Sequence, residues 1–327
     1  METAFPVPLW AWIAFLLFVV AMLVLDLGVF HRTAHRVSLR EAAVWSLVWV
    51  SLAATFAAVI AVWMGGGKSL EFITGYVVEW SLSVDNLFVF LVIFQYFAVP
   101  AESRHRVLFY GILGAILMRG AFIAGGLVLL ALFHWIIYVF GAFLIFTGIK
   151  LSIQSEEDGT QVEKNPVLRL AQRWLPVTRA YEGHAFVVRA ADGRRLVTPL
   201  FLVLLVVEST DVVFAVDSVP AILAITRDPF IVYTSNIFAI LGLRALFFLL
   251  AGVLEYFRYL RFGLSAVLVF VGVKMLLADV YKVHPAVSLA IIVGLLGASL
   301  IASVIAVRRE AVAAPDGAET REGPADG

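Results

Sequence analysis

The chain reads as a series of long apolar runs separated by short polar connections. The runs fall at residues 8–30, 43–64, 72–98, 107–131, 135–151, 199–225, 233–254, 262–279 and 285–307. About 20 apolar residues suffice for a helix to cross the roughly 30 Å hydrocarbon layer of a membrane. The pattern therefore predicts an all-α, polytopic transmembrane bundle of about nine helices. The first run has neither a basic leader nor a small-residue cleavage site and reads as a retained span.

One connection is long. Residues 152–198 read as a small polar module with its own local structure. Asn165-Pro166 is a helix start, with proline at the first helical position. Leu168, Leu170, Trp174 and Leu175 give it an irregular apolar face. Phe186 to Arg189, the turn Asp192-Gly193 and Leu196 to Thr198 predict a hairpin. The expected organisation is residues 1–71 as the first two spans, 72–151 and 199–280 as two three-helix units, 152–198 as the module and 281–307 as the last span. Residues 308–327, rich in Ala, Gly, Pro and Glu, are expected to be a disordered tail.

Composition agrees with the pattern. Of 327 residues, 62% are hydrophobic and only 15% charged, against about 25% charged in soluble domains. There is no cysteine, which removes disulfides, thiolate ligands and cysteine nucleophiles. Five scattered methionines give no soft-metal site. Net charge is zero with no large basic block, so nucleic acid is not an expected partner. HExxH and phosphatase-like His/Arg clusters are missing, so an enzyme is not expected. Lysines and arginines alternate between connections. The set 31–42, 99–106, 152–198, 255–261 and the tail holds 17, and the intervening set holds only Lys68, Arg227 and Lys282. Such a bias places the first set in the cytoplasm, with the N-terminus outside and the C-terminus inside.

Against this background two stretches are anomalous. One reads Glu79-Trp-Ser-Leu-Ser-Val-Asp85-Asn86. The other runs from Glu208 through Asp211 and Asp217-Ser218 to Pro220. A carboxylate in mid-membrane costs several kcal/mol unless it faces a cavity, a partner or an ion. The stretches also match each other. Glu79 precedes Asp85 by six residues, as Asp211 precedes Asp217. An intramembrane arginine follows each, Arg119 and Arg244. Phe146-Thr-Gly148-Ile-Lys150 then corresponds to Phe270-Val-Gly272-Val-Lys274. Because the first and second stretches cross in opposite directions, the two units would be inverted repeats, which place a binding site near the midplane and suit alternating access.

Five acids and two arginines would leave the centre negative, a charge that protons or a cation must offset. The candidate ligands are all oxygens, from Glu79, Asp85, Glu208, Asp211 and Asp217, with Asn86, Ser83, Ser218 and Asn236 in support. Such donors suit Mn²⁺, Mg²⁺ or Ca²⁺. Arg119 and Arg244 are charge partners, and Asp26 is a gate candidate. Pro220 cannot donate to residue 216, which predicts a discontinuous helix near Val216–Val219.

The same two stretches resemble the signatures of the TerC family of integral membrane proteins, as do Leu25-Asp26-Leu-Gly with His31-Arg32, and Phe-Thr-Gly148-Ile-Lys150. The resemblance covers all but the tail. It implies a bacterial inner-membrane protein akin to LysE-type exporters, in a family linked to manganese efflux. The resulting expectation is a Mn²⁺ exporter with no tightly bound cofactor, in which a carboxylate that loses its proton on metal binding couples efflux to proton entry. Family links to tellurite resistance and to metal supply for exported proteins imply an alternative. In it the chain is a membrane component of a stress or envelope complex, binding partners through 152–198 or the tail.

Overall fold

The structure is a computed structural model and describes residues 7–30, 38–133, 135–153, 165–178, 180–189, 193–253, 259–281 and 283–313; the side chains of 26–30, 85, 88, 101, 252–253 and 308–313 lie outside that description. Predicted features at Asp192, His31 and the 314–327 tail therefore fall outside it, as does the side chain of Asp26.

Eleven helices and one two-stranded sheet are described. They are α1 (Leu9–Phe30), α2 (Leu39–Trp63), α3 (Gly66–Tyr96), α4 (Ala101–Leu132), α5 (Ile136–Ile153), α6 (Pro166–Trp174), β1 (Val187–Arg189), β2 (Arg195–Val197), α7 (Pro199–Leu223), α8 (Pro229–Leu241), α9 (Leu243–Val253), α10 (Leu260–Leu276) and α11 (Pro285–Ala313). Each predicted run coincides with a helix, except 233–254, which is the pair α8 and α9 bent by 41° at Gly242. Among the described residues six helices are long and apolar enough to cross a membrane, seven with that pair counted as one span. The stretch Leu9–Leu25 is a shorter apolar helix, and α10 has 17 residues.

Two expectations are corrected. First, α7 runs unbroken through Pro220. The proline lies in its last turn, so only the Val216 carbonyl loses a helical donor and no long segment has to be re-paired. The break occurs at Gly242 instead. Second, α3 begins at Gly66, six residues before the predicted run, because Gly66 and Gly67 are helical. Gly65 alone makes the turn out of α2, at φ +93°, a conformation that glycine adopts without a Cβ penalty. Lys68 and Glu71 are therefore helical. At the other end of the chain, α11 continues to Ala313, past the predicted boundary at 307.

The bundle is organised around α3. Its central window is 75% buried, against 17–39% for the other spans, and it touches α2, α7, α8, α9, α10 and α11. The remaining packing is reciprocal. The two matched units exchange partners, α3 with α8 and α4 with α7, and their third helices α5 and α10 make the most extensive pairing. Small residues allow that last approach. A Cβ on Gly148 would stand 2.8 Å from the Ser265 carbonyl oxygen, and one on Gly272 would stand 2.7 Å from that of Gly141. Ser265 Oγ donates to the Gly148 carbonyl at 2.6 Å. As the α5 residue advances by seven the α10 residue retreats by seven, so the helices are antiparallel. The offset that carries Gly148 to Gly272 also carries Gly141 to Ser265, so the two contacts exchange under it.

The predicted helix and hairpin of the module are both present. Asn165 caps α6 by accepting from Val167 N and Leu168 N at 2.9 and 3.2 Å. β1 and β2 pair antiparallel, Val188 opposite Leu196. The module is docked on the bundle. Leu168 and Ala171 join the core of Val203, Val206 and Val207. The Tyr181 hydroxyl donates to the Phe97 carbonyl at 2.6 Å, and burial raises its pKa, keeping that donor protonated. Ser103 Oγ lies 3.0 Å from His184 Nδ1, and the Arg106 guanidinium sits 5.2 Å from the Phe186 ring. These contacts fasten the module to the ends of α3, α4 and α7.

Candidate functional site

The buried centre is built from α3, α4 and α7. Glu79 lies about midway along α3, and Asn86 follows seven residues later, on the same face two turns on. Arg119 enters from α4 and is 1% exposed. Its Nη1 pairs with Glu79 Oε1. Its Nη2 and Nε donate to the two carboxylate oxygens of Asp211 on α7, at 3.2 and 3.4 Å. With its amide oriented to satisfy both neighbours, Asn86 accepts from Arg119 Nη2 and donates to the Leu82 carbonyl, each at 3.1 Å. Glu79 and Asp211 are themselves 1% and 3% exposed. One guanidinium thus serves two buried carboxylates from different units, which leaves the group one negative charge in excess.

The other predicted residues are distributed around this centre. Glu208 lies one turn before Asp211 and is half-buried. Its carboxylate lies over Gly114 of α4, where a Cβ would collide with it. Asp217 is half-buried and accepts from Thr147 Oγ1 of α5 at 3.3 Å. Ser83 and Ser218 are buried, and the Oγ of each has no hydrogen-bond partner among the described residues. Asn236 on α8 and Arg244 on α9 are buried at 1% and 3% exposure, Arg244 directly after the bend. Asp85 is on α3, but its side chain lies outside the described residues, and Asp26 is likewise placed only by its backbone on α1. Among the described residues no three of His, Asp and Glu converge on one point. Glu79 and Asp211 meet through Arg119, while Glu208 and Asp217 stand apart from them.

Sequence reasoning missed several contributors. Thr147 lies in the repeated Phe146–Lys150 stretch but was not assigned to Asp217, because a threonine in an apolar helix more often bonds its own backbone. Gly114 reads as a packing glycine, yet here it makes room for a carboxylate. Tyr233, whose hydroxyl donates to the Gly120 carbonyl beside Arg119 at 2.7 Å, was not singled out. A polar group at one end of the bundle was missed because Lys68 and Glu71 were assigned to a loop. Lys68 Nζ bridges Glu71 and Asp228 at 3.0 and 3.3 Å, and Thr226 Oγ1 donates to Glu71 at 2.5 Å. These residues, with Lys274 and Asp279, line a cleft of about 900 Å³. The i,i+3 spacing of Lys68 and Glu71 was the available signal.

Comparison with known sequences assigns this arrangement to a group. The profile described as "Integral membrane protein TerC family" matches residues 64–311, from the start of α3 into the last turns of α11. The chain belongs to the TerC family. Every acid of the two anomalous stretches lies inside the TerC match; of the candidate site residues, Asp26 lies outside it. The chain is 56% identical over 297 residues to an uncharacterized membrane protein of Myxococcus xanthus, covering 91% of this chain and 92% of the relative. It is 48% identical over 296 residues to Alx of Escherichia coli K12, provisionally named a membrane-bound redox modulator, covering 87% and 91%. A membrane protein of Rickettsia bellii is 40% identical over 295 residues, covering 90% and 97%. No solved structure matches the chain.

Proposed function

We propose that this TerC protein exports a divalent cation, Mn²⁺ first among the hard ions, by alternating access between two inverted three-helix units. One observation carries the reading. The carboxylates of Glu79 and Asp211, on the opening helices of the two matched units, meet in the interior of an apolar bundle around a single cation. A structural role would need only one acid for one arginine, since each unpaired buried carboxylate adds a desolvation cost. Ser83 and Ser218, with unspent buried oxygens, add neutral donors beside Asp85 and Asp217, and the Val216 carbonyl freed by Pro220 adds another. An all-oxygen set favours Mn²⁺, Mg²⁺ or Ca²⁺ over softer ions.

The ends of the bundle differ, as alternating access requires. One end opens into the 900 Å³ cleft, and the other is covered by the 165–198 module. By the lysine and arginine bias the cleft faces outward and the module faces the cytoplasm of a bacterial cell. Among the described residues none of the candidate ligands lines that cleft, and Glu79 and Asp211 are buried. The centre is therefore closed to both sides in this conformation, and on this reading the ion enters from inside after the module loosens. A carboxylate that gives up its proton as the ion binds would couple efflux to proton entry. Asp217→Asn should raise cell manganese and manganese sensitivity as much as deletion does. Full protection by that variant at normal expression would refute its place in the ion path.

The name given to the E. coli relative favours a second reading, in which the chain acts on redox balance within a complex. Leu170 and Trp174, exposed on α6 at 60% and 73%, are the surface such a partner would use. With no cysteine the chain cannot itself exchange thiols, so the effect would pass through a partner or through metal supply. Loss of function in Leu170→Ala/Trp174→Ala with Mn²⁺ transport intact would favour this second reading.

A further inference from the structure

We infer that Arg119 is a tethered stand-in for the transported cation, holding Glu79 and Asp211 when no ion is bound and leaving them when the ion arrives. The inference rests on the export reading above and specifies how its site empties and fills. An alternating-access carrier must also reorient without cargo. Two bare carboxylates in the bundle interior would oppose that step, because each costs several kcal/mol unpaired. Arg119 removes most of this cost by reaching from a third helix, α4, to an acid on each unit.

The same positions cannot hold both cations. A divalent ion between Glu79 and Asp211 would place three positive charges against two negative ones at van der Waals range, so ion and guanidinium exclude each other. The hold on Asp211 is suited to release. Its donor distances of 3.2 and 3.4 Å exceed the roughly 2.7–2.9 Å of a tight charge-assisted bond. A destination is also present. Glu208 lies one turn from Asp211, over Gly114 of Arg119's own helix, and makes no ion pair or hydrogen bond among the described residues. The structure assigns it as the acceptor of the displaced guanidinium.

This exchange accounts for the charge of the substrate. A monovalent ion brings no more charge than Arg119 and lacks its donors, so it does not displace it. A divalent ion gains about twice the attraction at equal distance and does. Arg119 is thus a selectivity-determining residue as well as a counter-ion.

The test uses the full-length protein in detergent and in inside-out vesicles. It compares wild type, Arg119→Gln and Arg119→Lys, each with and without Glu208→Gln. Mn²⁺ titration calorimetry, Mn²⁺-induced shift in melting temperature and Mn²⁺ uptake are read on each. Arg119→Gln should bind Mn²⁺ about tenfold more tightly and transport it more slowly, since the empty carrier is no longer neutralised. Arg119→Lys, which keeps the charge but loses the planar fork, should shift in the same direction by less, and it decides the matter if the glutamine variant does not fold. Glu208→Gln should weaken binding in the wild-type background and have no effect beside Arg119→Gln, the coupling that a double-mutant cycle detects. A merely structural Arg119 gives the opposite result, weaker binding and a smaller Mn²⁺-induced shift in every folded variant, and that result overturns the inference. If wild type itself neither binds nor transports Mn²⁺, the export reading falls and the inference falls with it.

Discussion

At the scale of single residues, Gly114 is the most informative position. A methyl group there meets the end of a flexible side chain, Glu208, and not backbone. Gly114→Ala should therefore leave folding nearly unchanged, and helix propensity even favours it by up to about 1 kcal/mol. It should nevertheless lower the Mn²⁺ transport rate severalfold by moving the carboxylate. An unchanged rate with an unchanged melting temperature would show that the position of Glu208 is immaterial. Thr147→Val removes the hydroxyl that Asp217 accepts from while keeping side-chain volume. Its expected effect is a weaker Mn²⁺ affinity without loss of expression. The acids themselves were legible in the sequence, because a charge in an apolar run needs a reason. Their partners were less so. Arg119 announced itself by the same rule, but which acids it holds depends on helix rotation, and Thr147 and Gly114 look like ordinary span residues.

At the scale of elements, the nine runs were legible because the membrane imposes length and apolarity, and the spacing of Asn165-Pro166 and Asp192-Gly193 disclosed the module's helix and hairpin. Breaks were not legible. Pro220 looked like the breaker, but in the last turn it costs one backbone bond, whereas Gly242, outwardly a packing glycine, marks the bend. The module's docking was also hidden, since it depends on tertiary contacts such as the 3.0 Å bond from Asn165 Nδ2 to Ser209 Oγ, next to Glu208. That bond offers a clean trial, because the chain has no cysteine of its own. Asn165→Cys/Ser209→Cys should cross-link under oxidation, stop Mn²⁺ transport and recover it on reduction. Transport that continues in the cross-linked protein would mean that the module need not loosen. The α5–α10 crossing is testable by stability. Gly148→Ala and Gly272→Ala each press a methyl against a carbonyl oxygen at 2.7–2.8 Å, and each should cost roughly 1–3 kcal/mol, seen as a lower melting temperature in detergent.

At the scale of the whole molecule, the two halves pack by exchange. α3 lies on α8 as α7 lies on α4, and α5 crosses α10 through contacts that swap under one offset. The repeated residues Asp85 and Asp217, Arg119 and Arg244, Gly148 and Gly272 hinted at this relation in the sequence. The greater acidity of the second stretch was visible too, but not how the centre divides. The first unit gives it Glu79, Asn86 and Arg119, while the second gives Asp211, with Glu208 one turn away over Gly114. On the proposed export reading, this unequal division fits one carboxylate serving the ion and another serving a proton or the displaced arginine. The most direct measurement is uptake of radioactive Mn²⁺ into inside-out vesicles, with and without an imposed pH gradient. Uptake that depends on the protein, accelerates when the vesicle interior is acid and disappears in Asp217→Asn is the predicted result. No uptake under either condition, with the protein folded and inserted, would contradict the account.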